Sequence, residues 1–292
     1  MERPTCLPFA GLAALRPSPS LPVVSESIWC TGSLEGLRRP TIAVVGTRAA
    51  SAYGKALARR FAADLGSAGC CILSGLALGI DAAAHEGALE VGAPTIGVLG
   101  GGHECFFPPR NRGLAERMIA HGGAVLSPFP PDHPAFPSQF LQRNGIVAAL
   151  ADAVLVIEAP ARSGALNTAG WAAGRIPVFA VPGDVDRAHV AGCHALIRDG
   201  AILARSAQDV ADDLRLCTSP SDVRESRASS DSPSDPLQAQ LLGLLGAGER
   251  SLDELLGEIC ASPASVLAAL SMLELSGAVE ALAGGRYAVR RR

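Results

Sequence analysis

The run Ile42-Ala43-Val44-Val45 stops at Gly46-Thr47-Arg48, and Tyr53 to Phe61 then follows with helical period. An unbroken apolar run closed by turn residues is the pattern of a parallel strand buried on both faces. A helix entered straight after such a strand aims its first unpaired amides over the glycine, where the macrodipole favours an anion. In that arrangement Gly46 lets a ligand approach the backbone, Thr47 caps or donates, and Arg48 forks onto a phosphate. A strand–turn–helix with a surface arginine has the same appearance, so the rest of the chain must decide between them.

The unit recurs. Cys70 to Leu73 ends in Ser74-Gly75, Pro94 to Leu99 ends in Gly100-Gly101-Gly102, and Ala124 to Ser127 precedes a proline-rich loop at 128–137. Ala153 to Ile157 is the strongest strand pattern and leads to Glu158 and Ser163-Gly164. Pro177 to Val181 ends in Pro182-Gly183, 201–203 reads as a seventh strand, and 206–214 reads as a helix. Strands alternating with helices predict an α/β fold with a doubly wound, mostly parallel sheet, whose ligand crevice lies beyond the carboxyl ends of the strands. Five polar-glycine loops are then expected on one rim.

The outer boundaries are set by composition. Residues 1–40 read as a lead-in, irregular or weakly helical to about 21, with short strands at 21–24 and 28–32. The main domain is expected over 41–215, and 216–236, dense in Ser, Asp, Pro and Arg, as a flexible linker. Over 237–292 three helices precede a two-strand hairpin, the plan of a small winged-helix domain; Ser251 and Glu254 form a capping box at the second helix. Its third helix carries no Arg or Lys, which favours protein contact over groove reading.

With a net charge of −3, any grip on nucleic acid must be local, and the bases are arginines apart from Lys55. The eight cysteines have no metal-ligand spacing and read as buried reduced thiols rather than metal ligands. No signal peptide or membrane-length apolar run is evident, so a cytoplasmic location with no membrane association is expected. The first loop is not GxGxxG, and no Gly-Lys-Ser/Thr occurs. Ser74 and Ser163 share the domain with His85, His103 and His194, yet no GxSxG elbow accompanies them. Asp81 and His85 read as a helix-cap pair and Glu158 as a structural carboxylate, with a polar crevice pair and a general base as the alternatives. Phe136 and Phe140 beside Arg143 and Asn144 offer base stacking next to a phosphate fork, or ordinary core aromatics.

Laid out in order, these motifs resemble the DNA-processing (DprA/Smf) family of natural transformation. The resemblance is carried by Val45-Gly46-Thr47-Arg48, Ser74 to Asp81 with His85, Phe107-Pro108 with Asn111, and Phe140 with Arg143-Asn144. It continues through Val156 to Ala159, Ser163 to Ala169, Val178 to Gly183, and Gly192-Cys193 with Gly200. The resemblance implies an extended Rossmann-like fold with a winged-helix tail. It further implies a homodimer that binds single-stranded DNA and helps load RecA recombinase, with no catalysis and no cofactor. By motif position, the implied DNA contacts are Arg48, Ser74, Gly75, Phe140, Arg143, Asn144, Ser163, Gly164 and Thr168; Gly46 and Arg162 join them on the rim.

The chain departs from the family pattern in three places. Leu78 stands where an arginine is usual, Gly145 where a second arginine is usual, and Ala165 where a serine is common. Two lost cations are expected to weaken binding and flatten its salt dependence by roughly one phosphate each. Arg110, Arg112 and Arg162 are the candidates to replace them. Two rivals stay open: a protein-interaction module with a decayed DNA pocket, and a nucleoside monophosphate phosphoribohydrolase-like enzyme. The latter relies on Pro-Gly-Gly-x-Gly-Thr-x-x-Glu, where this chain has Ser163-Gly164-Ala165-Leu166-Asn167-Thr168 and no following glutamate.

Overall fold

The structure, a computed structural model, describes residues 3–15, 25–216, 236–246, 248–259, 261–275, 278–282 and 286–289. The chain divides into two compact units, Met1–Thr218 and Ser219–Arg292. The linker expected over 216–236 lies outside the described residues except at its ends, as does the strand expected at 21–24.

The first unit holds β1 (Thr5–Pro8), β2 (Ser27–Gly32), β3 (Thr41–Val45), α1 (Ala52–Ser67), β4 (Cys71–Ser74) and α2 (Ile80–Glu90). Next come β5 (Thr95–Val98), α3 (Arg112–Ala120), β6 (Ala124–Ser127), α4 (Pro137–Ala149), β7 (Ala153–Val156) and α5 (Gly164–Ala172). It closes with β8 (Val178–Ala180), α6 (Ala191–Arg198), β9 (Ile202–Leu203) and α7 (Ala207–Asp213). One sheet takes the order β1-β2-β6-β5-β4-β3-β7-β8-β9. It is parallel from β6 to β9, while β1 and β2 are antiparallel additions at one edge. The lead-in thus contributes two strands to the sheet. β1 escaped the sequence reading because its four residues Thr-Cys-Leu-Pro are too short to show alternation.

Both faces of the sheet are covered, which is why its strands read as continuous apolar runs. Along β3, Ala43 and Val45 pack with Ile146 and Val147 of α4 and Ala165 and Ala169 of α5. Ile42 and Val44 face the other way, against Leu57 and Phe61 of α1 and Ala84 of α2. The chain builds outward from β3 to β6, returns, and adds β7 to β9 on the other side of β3. The strand order therefore reverses between β3 and β7, and the crevice of a doubly wound sheet opens beyond that switch point.

In the second unit, α8 (Pro236–Gly246), β10 (Arg250–Ser251), α9 (Leu252–Glu258), α10 (Pro263–Leu275), β11 (Val279–Leu282) and β12 (Arg286–Val289) make the winged helix. The Ser251 hydroxyl accepts from the Glu254 amide at 3.3 Å, and the Glu254 carboxylate accepts from the Ser251 amide at 2.7 Å. Leu241, Leu255, Val266, Leu270 and Val279 form the core beneath the hairpin. Of the described residues on α10, Leu267 and Met272 are exposed.

Helical glycines fall into two kinds. A Cβ on Gly54, in the first turn of α1, would overlap the Glu158 carboxylate, whereas one on Gly170 of α5 meets only open space. Gly54→Ala should lower unfolding free energy by about 1–3 kcal/mol through overpacking. Gly170→Ala should raise it by roughly 0.5–1 kcal/mol through helix propensity. Urea unfolding of the two variants beside the wild type measures both.

Candidate nucleic-acid interface

At the switch point the loops after β3, β4 and β7 enclose a cavity of about 330 Å³. Gly46, Arg48, Gly75, Arg143 and Asn144 line it, together with Arg162, Ser163, Gly164 and Thr168. Nine sequence-predicted residues thus meet at one place. Ser74 and Phe140 do not line it. The Ser74 side chain is fully buried and donates to the Val44 carbonyl at 2.7 Å, so it fastens β4 to β3 beneath the floor. Phe140 sits half-buried, with the Arg48 guanidinium 4.8 Å from its ring centre and Phe107 5.9 Å away on a tilt. Phe136 is not its neighbour; that ring is exposed and meets His133 edge-on at 6.1 Å.

The anion expected over the start of α1 is the protein's own. Glu158 accepts from the Ser51 amide at 3.0 Å and the Ser51 hydroxyl at 2.5 Å, and Ser51 in turn accepts from Gly54. That confirms the structural reading of Glu158 and closes the α1 terminus to ligands. Gly46 is also needed for packing rather than ligand approach, because a Cβ there would crowd Ile80 at 2.5 Å and the Glu158 carbonyl at 2.8 Å. The helix terminus that does open into the cavity belongs to α5. Ser163 is its N-cap, accepting from the Ala165 amide at 3.2 Å, and Gly164 and Ala165 line the cavity beside it.

Of the five glycine loops, only three reach this site. A Cβ on Gly100 would lie 2.6 Å from the Phe140 ring, and one on Gly101 would lie 2.8 Å from Ala135. Gly183 packs on Val190, and its carbonyl lies 3.0 Å from His194 Nε2. Phe140 of α4 and His194 of α6, two helices the sequence reading left unassigned, supply part of this cover, and the residues leading into them supply the rest. Gln139 starts α4 by accepting from the Phe136 amide at 3.0 Å, with Pro137 at the first helical position.

Beneath the cavity lie two buried ionisable side chains. Arg143 is 3% exposed, donates Nη1–H to the Val98 carbonyl at 3.0 Å, and leaves Nε without a partner among the described residues. Its guanidinium occupies the space a Gly75 side chain would take. Asp81 accepts from the Gly75 and Ala77 amides at 3.1 and 3.3 Å. Burial pushes the Asp81 carboxyl up, while the Arg143 charge and those amides pull it down. Burial brings Arg143 down to about 10, still a cation at neutral pH. The expected fork of Arg143 onto a phosphate is therefore replaced by a positive floor. Between these side chains Leu76 adopts φ +54°, held by its side chain under Gly97 and by Asn111 Nδ2 donating to its carbonyl at 2.8 Å.

Asn144 spends its amide inside the protein, donating to the Gly164 carbonyl at 3.1 Å and to Asn167 at 3.3 Å. Gly145 is buried within α4, while Leu78 is 40% exposed. The serine and histidine candidates for catalysis are separately engaged. His85 pairs with Thr95 at 2.7 Å and His103 with the Val125 carbonyl at 3.0 Å. Cys30, Cys70, Cys71 and Cys193 are buried, with thiols pushed up to about 11 or 12, but Cys6 and Cys105 are exposed, contrary to expectation. Among the described residues no cluster of His, Cys, Asp and Glu fits a metal, and no helix is long and apolar enough to cross a membrane.

A doubly wound sheet with an arginine-lined crevice at its switch point, in a chain that also carries a winged helix, defines a class of two-unit α/β proteins. The family model for DNA recombination-mediator protein A matches residues 15–215, and that for the DprA winged helix domain matches 225–285. A putative DNA processing protein DprA of Mycobacterium tuberculosis is 38% identical over 97% of this chain and 73% of its own length. The Smf protein of Escherichia coli is 38% identical over 91% of this chain and 72% of its own. The Streptococcus pneumoniae DNA processing protein A structure aligns with TM-score 0.63 at 34% identity, covering 72% of this chain and 74% of that one. A Helicobacter pylori DNA processing protein A, known for its single-stranded DNA binding mode, aligns with TM-score 0.61 at 28% identity over 73% and 95%. The chain belongs to the DNA recombination-mediator protein A family.

The fully buried His85 titrates down to about 3, through burial first and the Arg143 charge second. A folded value below the unfolded 6.5 means stability is present above pH 6.5 and is lost as pH falls from there toward about 3. This group should remove about 1.4 kcal/mol per pH unit within that window. Asp81, shifted the other way, opposes the loss at its acidic end. Denaturant unfolding of wild type and His85→Gln across the window should show the steep segment in wild type only.

Proposed function

We propose that this protein is a non-catalytic, single-stranded DNA-binding protein. It protects incoming strands and loads RecA recombinase during natural transformation, acting as a homodimer in the cytoplasm. The observation that carries the DNA-binding part is the switch-point cavity, where Arg48 and Arg162 stand exposed over a buried Arg143 and beside the first turn of α5. A phosphodiester satisfies all of these at once: forked contacts from the two surface guanidiniums, amide donors from α5, and a cationic floor. Phe140, with Arg48 against it, offers a stacking face at the rim for a base. A base splayed onto a ring is a property of single strands, which favours them over a duplex. Binding by the H. pylori relative supports the same reading. The dimer and the RecA role rest on family membership.

Bond-breaking is disfavoured because Ser163 is committed as a helix cap and His85 and His103 are buried on other partners. A decayed pocket is disfavoured because three of the implied arginines still share one cavity.

Fluorescence anisotropy of a labelled dT oligomer, against a duplex of equal length and over a salt series, tests the reading. Single-strand preference is expected. Arg48→Ala and Arg162→Ala should each flatten the slope of log K against log salt by about 0.7, one single-strand phosphate contact. Phe140→Ala should cost about 1–3 kcal/mol of affinity with little change in slope. Equal binding of duplex and single strand, or none at low salt, would sink the proposal.

A further inference from the structure

A second cavity, of about 580 Å³, lies on the other side of Arg48. It is lined by Lys55, Arg59, Leu78 and Arg110, with Glu86 as the carboxylate at its wall. Arg48 lines both cavities, so the two adjoin at one side chain.

The chain builds this surface deliberately enough to trace. Ser51 caps α1, and Lys55 and Arg59 lie four residues apart on one helix face. Arg59 is spent on Glu86 and Glu90 of α2. α1 and α2 can approach that closely because a Cβ on Gly87 would strike the Arg59 backbone. Arg110 is held from the other side. Its neighbour Asn111 is 6% exposed and donates to the Leu76 and Ala77 carbonyls at 2.8 and 3.1 Å, which pins Arg110 beside the loop that carries Leu78. Lys55 and Arg110 are exposed and have no carboxylate partner among the described residues. The cavity is therefore a cationic trough with an exposed leucine in its wall.

We infer that this second cavity takes the next phosphates of the same single DNA strand that occupies the first. Lys55 and Arg110 are its phosphate contacts and stand in for the cation missing at Leu78. The inference rests on the single-strand reading above and adds the direction of the strand's path: from the α5 terminus, past Arg48, toward the α1–α2 face. If it holds, Lys55 and Arg110 offset the flattening of salt dependence expected from the Leu78 departure, since both share its cavity.

The test is anisotropy with a short dT oligomer of about 5 nucleotides and a long one of about 20, each over a salt series. The Lys55→Ala/Arg110→Ala double variant should bind the short oligomer as wild type does. On the long one it should lose roughly 1.4 of the salt slope, two single-strand phosphates. Adding Leu78→Arg to the double variant should return about 0.7 of that slope. If the double variant matches wild type on the long oligomer while Arg162→Ala still weakens both, the second cavity is overturned and the first stands. If wild type binds neither oligomer, both readings fall together. Weakening of both oligomers alike by the double variant also overturns the path, because a contact beyond the first cavity cannot be felt by a strand that ends within it.

Discussion

The buried guanidinium of Arg143 is the constraint around which this site is arranged. Burying a cation costs several kcal/mol unless its donors and its charge are answered. Here the answer is partial: one donor goes to the Val98 carbonyl, Asp81 supplies opposite charge, and Nε stays unpartnered. Room for the group exists only because residue 75 is glycine. The loop that follows must then be held open, which explains the left-handed Leu76, the Asp81 carboxylate under two amides, and Asn111 on two carbonyls. The incompletely answered charge that burdens folding is the same charge that a phosphate in the cavity would neutralise. Stability and affinity therefore meet in one residue.

The two helix termini at the switch point differ in whether an outside anion could reach them. The start of α1 has the right dipole, but Glu158 already fills it through Ser51. The start of α5 has only the neutral Ser163 as cap. A charged internal cap removes the field from solvent, whereas a neutral cap leaves it available. The consequence for Arg48 is geometric. With Thr47 donating to the Glu158 carbonyl at 2.7 Å and accepting from Ile80 at 3.3 Å, the loop is pinned on both sides and its arginine is sent outward between the two cavities.

Much of this was legible in the sequence, because a parallel sheet covered on both faces writes itself as apolar runs ending in turn residues. The seven strand positions of the main sheet from Thr41 onward and the winged-helix plan follow from that pattern. The meeting of Arg48, Arg162 and Ser163 follows from the expectation that strand-end loops of such a sheet share one rim. What was not legible is burial. Nothing in Phe140-Leu141-Gln142-Arg143 says that the arginine turns inward while the phenylalanine stays at the rim, since both lie on a helix that the preceding prolines obscured. Gly100 and Gly183 look like Gly75 in sequence, and only the α4 and α6 cover distinguishes them. Nor does a glycine announce whether the room it leaves belongs to a ligand, as expected of Gly46, or to a neighbour such as Ile80.

The overall charge of −3 then takes on a specific meaning. A chain with no global positive field gains little from long-range steering, and at physiological salt the Debye length is only about 8 Å. Any contact with DNA must then be made by cations close enough to touch phosphates. Arg48, Arg110, Arg162 and Lys55 are exposed without carboxylate partners among the described residues, while Arg59, on the same trough, is tied up by two. The arrangement favours strands that can enter the cavities over rigid duplex passing above them. On the proposed reading, a preference for single strands would arise from these few contact-range cations together with the Phe140 ring at the rim.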